Sequence, residues 1–396
     1  MNLSYSPEEE QFSAALRAWL AVNLPDGWLA GNRSLPTDLA GRDQFLRQWQ
    51  RRLYAGGWAG ISWPKEFGGR GASLVEEVIY EYEMVRAQAP PQLNLVGIQL
   101  VGPTLIEIGT AAQKAEYLNK IISGDEIWCQ GFSEPNAGSD LASLQTKAVK
   151  DGSRYIINGQ KIWTSYAHAA DRCFLLARTS VTEKKHFGIT AFLIDMHQPG
   201  IEVRPIHQIN GDSDFNEVFF TNAIAERDDI VGQLDQGWGA ALVMLKYERG
   251  LASQIFELER TLSDILRFAK THSVNGRALI DDEVFGDRIA DLYVRALAAR
   301  LTFYRHVTEQ ARTGSRGAEG SLDKYCATEL HKQMLSYALA LCGPNGAAVE
   351  PAQVLAGLDF QTRFLTSIGA AIAGGTSDIQ KNIVAERILG LPRDAR

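Results

Sequence analysis

Along this chain the spacing of apolar residues changes twice, from helical to alternating and back to helical, and that order is the strongest constraint on its fold. From residue 1 to about 125 the period is helical, as at 76–86 and 111–122, with glycine-rich connections such as Phe67-Gly68-Gly69-Arg70-Gly71. From about 126 to 234, short β-branched or apolar runs are separated by turn formers. Asp151-Gly152 and Asn158-Gly159 both favour the positive φ of tight hairpins, the second between Tyr155-Ile156-Ile157 and Lys161-Ile162-Trp163. Further strands are predicted at 173–177, 190–194 and 218–221. Beyond 235 the pattern is helical again, with amphipathic segments at about 238–271, 282–312, 321–342 and 378–389. Four helices of that length suit a bundle. The expectation is a mainly α fold with three parts: an N-terminal helical domain (1–125), a small antiparallel β-barrel-like domain (126–234) and a C-terminal four-helix bundle (235–396).

A chain of 396 residues is long enough for two or three packed regions. No stretch approaches the roughly 18 uninterrupted apolar residues of a membrane span. The most apolar window, 93–108, is broken by Gly97, Gln99, Gly102 and Pro103, so no membrane span is expected. With a net charge of −7 and no Lys/Arg run, the chain offers nothing to track a phosphate backbone, and nucleic acid is not an expected partner. The four cysteines form no CxxC pair, which points away from zinc sites and disulfide frameworks and toward a reducing, cytoplasmic setting. Ser6-Pro7-Glu8-Glu9-Glu10 predicts a capped helix start with the stripe Phe12, Leu16, Trp19 and Leu20 behind it, and no leader peptide is expected before it.

Two segments carry candidate chemistry. In Trp128-Cys129-Gln130-Gly131-Phe132-Ser133-Glu134-Pro135-Asn136-Ala137-Gly138-Ser139-Asp140, small residues and hydroxyls crowd a loop at the entry to the β region. It reads either as a solvated turn or as exposed amides, with Ser133 and Ser139, that bind an extended polar ligand. Asn158-Gly159-Gln160-Lys161-Ile162-Trp163-Thr164-Ser165 sets an indole beside two hydroxyls, and Trp163 taken alone reads as core or as a cofactor platform. No G-x-G-x-x-G follows a strand, so a nicotinamide enzyme on a Rossmann fold is not expected.

At this spacing the two segments resemble the flavin-contacting motifs of the acyl-CoA dehydrogenase family. The resemblance extends over essentially the whole chain, including the region order and the closing Gly375-Thr376-Ser377-Asp378-Ile379-Gln380. It implies an FAD cofactor, an acyl-CoA substrate, electron-transfer flavoprotein as electron acceptor, and a homotetramer or an α2β2 assembly with a related subunit. It also implies cofactor contacts at Phe132 and Ser133, with Ser133 on the flavin ring, and a place for Ser139 on the pantetheine and phosphate side of the ligands. Trp163, Thr164 and Ser165 would lie along the isoalloxazine, and Thr376 and Asp378 against the FAD. On residues alone, Ser377-Asp378-Ile379-Gln380 has the form of a capping box that starts a helix ending before Gly390.

The chain departs from the best-known members at the base. Where they carry a glutamate before Gly-Thr, it has Ala373-Gly374-Gly375-Thr376. It resembles instead the subset, with isovaleryl-CoA and long-chain dehydrogenases, whose base lies on the first helix of the C-terminal bundle; Glu248 in Lys246-Tyr247-Glu248-Arg249-Gly250 matches that position. Independently of the resemblance, Glu248 interrupts the stripe Ala241, Leu245, Ala252 and Ile255, and no basic residue stands three or four positions away. Gly374, through its amide, and Arg249 are implied on the substrate side. Two further departures bear on the cofactor: an arginine that often reaches a neighbouring subunit's FAD falls near His272, with Arg277 as a substitute, and a glutamine of the family's Q-x-x-G-G-N-G segment is Ala340. His168 and His207 have no metal spacing and read as structural or exposed. A flavin oxidase or monooxygenase on the same scaffold and a non-catalytic partner subunit are the rival readings.

Overall fold

The computed structural model describes residues 4–31, 33–248, 252–274, 276–314, 317–347 and 358–393. Helices α1 (Pro7–Asn23), α2 (Leu39–Ala55), α3 (Leu74–Ala87), α4 (Gly102–Ile108) and α5 (Ala111–Ser123) come first. Strands β1 (Trp128–Gly131), β2 (Lys147–Asp151), β3 (Arg154–Ser165), β4 (Arg172–Arg178), β5 (Ile189–Asp195), β6 (Ile201–Pro205), β7 (Phe215–Glu226) and β8 (Ile230–Val231) follow. Helices α6 (Gly237–Glu248), α7 (Ser253–Thr271), α8 (Glu283–Thr313), α9 (Glu319–Leu341), α10 (Phe360–Ala370) and α11 (Ser377–Ile383) complete the order. Among the described residues no helix is long and apolar enough to cross a membrane. By contacts the chain gathers into two compact units with interleaved segments, 1–33, 73–89 and 249–396 in one and 34–72 and 90–248 in the other.

In the first unit, α7, α8, α9 and α10 pack around Leu262, Ile265, Phe268, Leu292, Met334 and Phe360. At the start of α1 the predicted cap forms in full: the Ser6 hydroxyl accepts from Glu9 N–H while Glu9 accepts from Ser6 N–H, with Pro7 in the first turn. Phe12, Leu16 and Leu20 then bury one face of α1. A buried charge fastens that helix to α3, where Glu83 accepts from Ser13 Oγ at 2.9 Å and pairs with Arg17 at 2.7 Å and Arg86 at 2.9 Å.

The second unit holds the sheet, in the order β6-β7-β3-β2-β4-β5-β8 with β1 also on β4. β4 and β5 are buried almost end to end, which is why they read as continuous apolar runs rather than alternating ones. The expected antiparallel domain is in fact mixed. The chain reverses after β2 and again after β3, so β1 and β2 run the same way as β4 and pair with it in parallel.

Two local expectations change. Asp151-Gly152 makes the predicted hairpin, with Asp151 opposite Arg154 and Gly152 at φ 62°. Asn158-Gly159 does not turn, because β3 runs straight through it with a shift of register against β7. The glycine serves close approach instead: a Cβ there would lie 2.5 Å from Thr146 Oγ1 and 2.7 Å from Thr146 Cα. The segment predicted as one helix at 238–271 forms two, α6 and α7, with 249–251 outside the described residues. The sequence also hid α10, whose Asp359 cap accepts from Thr362 N–H at 2.9 Å. At α11 the cap is Thr376 rather than Ser377, since Thr376 Oγ1 accepts from Ile379 N–H at 3.3 Å.

Candidate active site

The end of β3 is shaped by a second shift of register, between Lys161 and Thr164, which re-aims two side chains. Trp163 sits at φ 59°, a conformation that costs a non-glycine residue about 1–2 kcal/mol. Its indole is 56% exposed and touches Phe215 edge-on at 6.2 Å. Thr164 beside it is 1% exposed, yet among the described residues its Oγ1 has no hydrogen-bond partner. Its carbonyl is held by Asn216 Nδ2 at 2.9 Å, and Asn216 in turn meets His168 Nδ1 at 3.2 Å. A strained exposed aromatic next to an orphaned buried hydroxyl is uneconomic for a free strand and suits a ligand that covers both.

The loop after β1 is locked to this strand by a pair of residues that sequence reasoning missed. Lys161, fully buried, places Nζ 2.8 Å from Glu134 Oε1 and 3.0 Å from the Phe132 carbonyl. Glu134 also accepts from Gln145 N–H at 2.6 Å and Thr146 N–H at 2.8 Å. Burial pushes the Glu134 carboxyl up, but the Lys161 ammonium and these hydrogen bonds outweigh it and hold it below the usual carboxylate range. Burial likewise pushes Lys161 down, against the pull of Glu134. Ile162 N–H donates to the Ser133 carbonyl at 2.9 Å, so Ser133 is fixed beside the shifted end of β3. Glu134 and Ala137 exchange backbone hydrogen bonds of 3.0 Å each across Pro135-Asn136.

These contacts bring Ser133 beside Trp163, Thr164 and Ser165 at one end of β3. Phe132 meets this end through its carbonyl, which accepts from Lys161, while its ring is buried with the Phe174 ring centroid 6.1 Å away. Ser139 is exposed farther along the loop. That stretch is stapled to 185–187 by Arg178, which donates to the carbonyls of Ala142, Leu144, Lys185 and Phe187 at 2.8, 3.1, 3.2 and 3.1 Å. The one available signal for the Glu134–Lys161 pair was that Lys161 is the single charge of its motif while the other motif carries only acidic charges, Glu134 and Asp140.

Glu248 is the last residue of α6; its side chain and Arg249 lie outside the described residues. The turn before it is anchored within its own unit, where Tyr247 Oη donates to Glu107 Oε2 at 2.8 Å and Lys246 Nζ lies 3.4 Å from the same oxygen. Ala241 and Met244 bury the apolar side of α6. In the other unit, Gly374 and Gly375 take φ of 63° and 92° just before the Thr376 cap. Asp378 is exposed and pairs with Lys381 at 3.2 Å. His168 is buried near Asp43 and His207 reaches Ser213 at 3.3 Å; among the described residues no metal-binding group of side chains occurs.

The chain is similar to known proteins over nearly its whole length. It is 37% identical over 391 residues to the acyl-CoA dehydrogenase IpdE1 of Mycobacterium tuberculosis, covering 98% of this chain and 99% of that one. A solved structure described as the Tcur3481-Tcur3483 steroid ACAD superposes with a TM-score of 0.86 at 29% identity, covering 100% of both chains. The ChsE4-ChsE5 complex from Mycobacterium tuberculosis superposes with a TM-score of 0.85 at 29% identity, again over 100% of both chains. The family models for the acyl-CoA dehydrogenase N-terminal, middle and C-terminal domains match residues 6–125, 129–223 and 235–389. Helices flanking a central mixed sheet, and a strained Trp-Thr-Ser strand end, are thus found in a chain that those three models cover in order: it belongs to the acyl-CoA dehydrogenase family.

Proposed function

We propose that the protein is an FAD-dependent dehydrogenase that converts a bulky, branched, cyclic or long acyl-CoA to its trans-2-enoyl-CoA, with Glu248 as base and electron-transfer flavoprotein as electron acceptor. The observation that carries the cofactor reading is the end of β3, where exposed Trp163 is held in a left-handed conformation beside the unpartnered Thr164 hydroxyl. An isoalloxazine has the flat apolar face and the polar edge that such a pair accepts. Bound FAD supplies the acceptor for the β-hydrogen, at N5. Ser133, Trp163, Thr164 and Ser165 orient it, and the Glu134–Lys161 pair keeps their two segments in register. The Glu248 carboxylate takes the α-proton, while the Gly374 N–H donates to the thioester carbonyl oxygen as charge develops there. Arg249 orients the thioester end of the ligand, and Ser139, Thr376 and Asp378 contact ligand or cofactor. The bulky acyl group follows from Gly374, which leaves free the volume that a glutamate side chain would fill, and agrees with the likeness to a steroid ACAD. The test is FAD per chain in the purified protein, followed by anaerobic bleaching with a panel of acyl-CoA thioesters. A colourless protein that takes up no FAD would end this reading.

An assembly with a related subunit is favoured over a homomer by a specific observation. His272 stacks on Phe268 at 3.8 Å and sets Nδ1 2.9 Å from its carbonyl, while Arg277 is hydrogen-bonded to the Asp281 carbonyl. Both stand-ins for the family's arginine are therefore engaged within their own chain, and a second subunit would supply the missing cation. The two structural relatives named above are described as a complex or a paired protein. Measuring FAD per chain with and without a co-expressed relative distinguishes the two.

A further inference from the structure

The turn before α11 has its carbonyls tied down. Gln380 Nε2 donates to the Gly374 carbonyl at 2.8 Å and to the Gly375 carbonyl at 3.2 Å. Lys324 Nζ, from α9, donates to the Gly375 carbonyl at 2.6 Å. In a trans peptide the N–H points opposite to the C=O of the same plane. Holding the Gly374 carbonyl therefore aims the Gly375 N–H away from Gln380, and holding the Gly375 carbonyl aims the Thr376 N–H away from Lys324. Among the described residues none accepts from the N–H of Gly374, Gly375 or Thr376.

The clamp leaves little slack. Gln380 is 1% exposed, and a Cβ on Gly375 would lie 2.7 Å from its Nε2. Its Oε1 is buried without a partner among the described residues, so none of them competes there to set its orientation. The next residue is fixed to the same helix, since Ser377 Oγ donates to Glu329 Oε1 at 2.5 Å. The Thr376 hydroxyl is already used as the cap of α11, which leaves the backbone amides as the donors the turn has to offer.

We propose that Lys324, with Gln380, is a positioning residue that locks two successive peptide planes so that the Gly375 and Thr376 N–H groups are presented to a ligand oxygen carrying negative charge. The ammonium also draws electron density from the Gly375 carbonyl, and polarising that peptide makes the Thr376 N–H a stronger donor. An enolising thioester oxygen and a phosphoryl oxygen of the cofactor share the chemistry these donors fit. The assignment rests on the flavin and thioester reading above.

The test uses the FAD-loaded protein with Lys324→Met, Lys324→Arg and Lys324→Gln, the last keeping a donor without the charge and serving if the Met variant does not fold. FAD affinity, the C=O stretch of a bound thioester analogue that resists dehydrogenation, and the rate of flavin reduction at saturating thioester are measured for each. If the oxygen is the thioester's, Lys324→Met slows reduction about 10–100-fold with the thioester Kd changed less than about threefold, the C=O stretch moves back toward its value in water, and Lys324→Arg retains most of both. If the oxygen belongs to the cofactor, FAD affinity falls about tenfold or more with the C=O stretch unchanged. Equal FAD affinity, C=O stretch and reduction rate in wild type and the folded Met or Gln variant would overturn the assignment while leaving the dehydrogenase reading intact. A wild type that no thioester bleaches, but whose FAD affinity depends on Lys324, would keep the assignment and remove that reading. A wild type that binds no FAD would remove both.

Discussion

Trp163 and Thr164 each pay for something the free strand does not use, and that makes them separable from ordinary core residues by experiment. The buried Thr164 hydroxyl has no partner among the described residues, and leaving such a group unsatisfied costs about 1–3 kcal/mol. Thr164→Val should therefore leave the FAD-free protein equally stable or more stable in urea, while weakening FAD binding by about tenfold. A loss of stability with unchanged FAD affinity would show the hydroxyl to be structural. Glu248→Gln should keep FAD and thioester binding but lose at least about 10³ in the rate of flavin reduction, because an amide does not accept the α-proton. Stopped-flow reduction with the best substrate of the panel measures this directly, and a near-normal rate would assign the base elsewhere.

At the scale of elements, two buried polar contacts have consequences that burial alone would not. Lys161 on β3 neutralises Glu134 across 27 positions of sequence, so Lys161→Met leaves a carboxylate buried and unpaired. Such a loss costs about 3–5 kcal/mol, and adding Glu134→Gln should recover a large part of it. Denaturant unfolding of the two single variants and the double variant gives the coupling. Between α7 and α9, His331 Nε2 meets Thr261 Oγ1 at 3.0 Å, and burial, with Arg363 and Arg260 nearby, pushes its pKa from 6.5 down to about 3. A histidine whose folded pKa is depressed binds fewer protons folded than unfolded. Its contribution is complete above pH 6.5 and is lost as pH falls toward about 3. The slope is about 1.4 kcal/mol per pH unit, so the difference in stability between pH 7 and pH 5 should shrink by about 2 kcal/mol in His331→Gln. An unchanged difference would mean that His331 titrates normally.

For the whole molecule, the position of the base and the shape of the acyl site are one question. Glu248 closes α6 and Gly374 belongs to the turn before α11, so exchanging their side chains moves the base from one element to the other. Gly374→Glu combined with Glu248→Gly should recover some activity on straight-chain butyryl-CoA and lose it on bulky thioesters, scored by anaerobic bleaching. If butyryl-CoA is already the best substrate of the unaltered protein, or the exchange leaves the preference unchanged, the volume argument at residue 374 is wrong.

The sequence by itself determined the order of helical and β regions, the capped start of α1, the Asp151-Gly152 hairpin and the family motifs, because each depends on residues within a few positions of one another. It misread Asn158-Gly159, where the local preference for a turn loses to the ladder with β7 and the press of Thr146, both supplied by distant chain. It passed over α10, and it placed the α11 cap one residue late, at Ser377. For the candidate site it named Ser133, Trp163 and Thr164, but it did not single out Glu134, Lys161, Arg178 or Lys324, whose charges look in sequence like those of any solvated surface. Only the tertiary structure decided that Lys161 is buried against Glu134 and that Lys324 holds the Gly375 carbonyl. The meaning of a charge is set by the dielectric around it and by the partner it meets, and both come from segments far away along the chain.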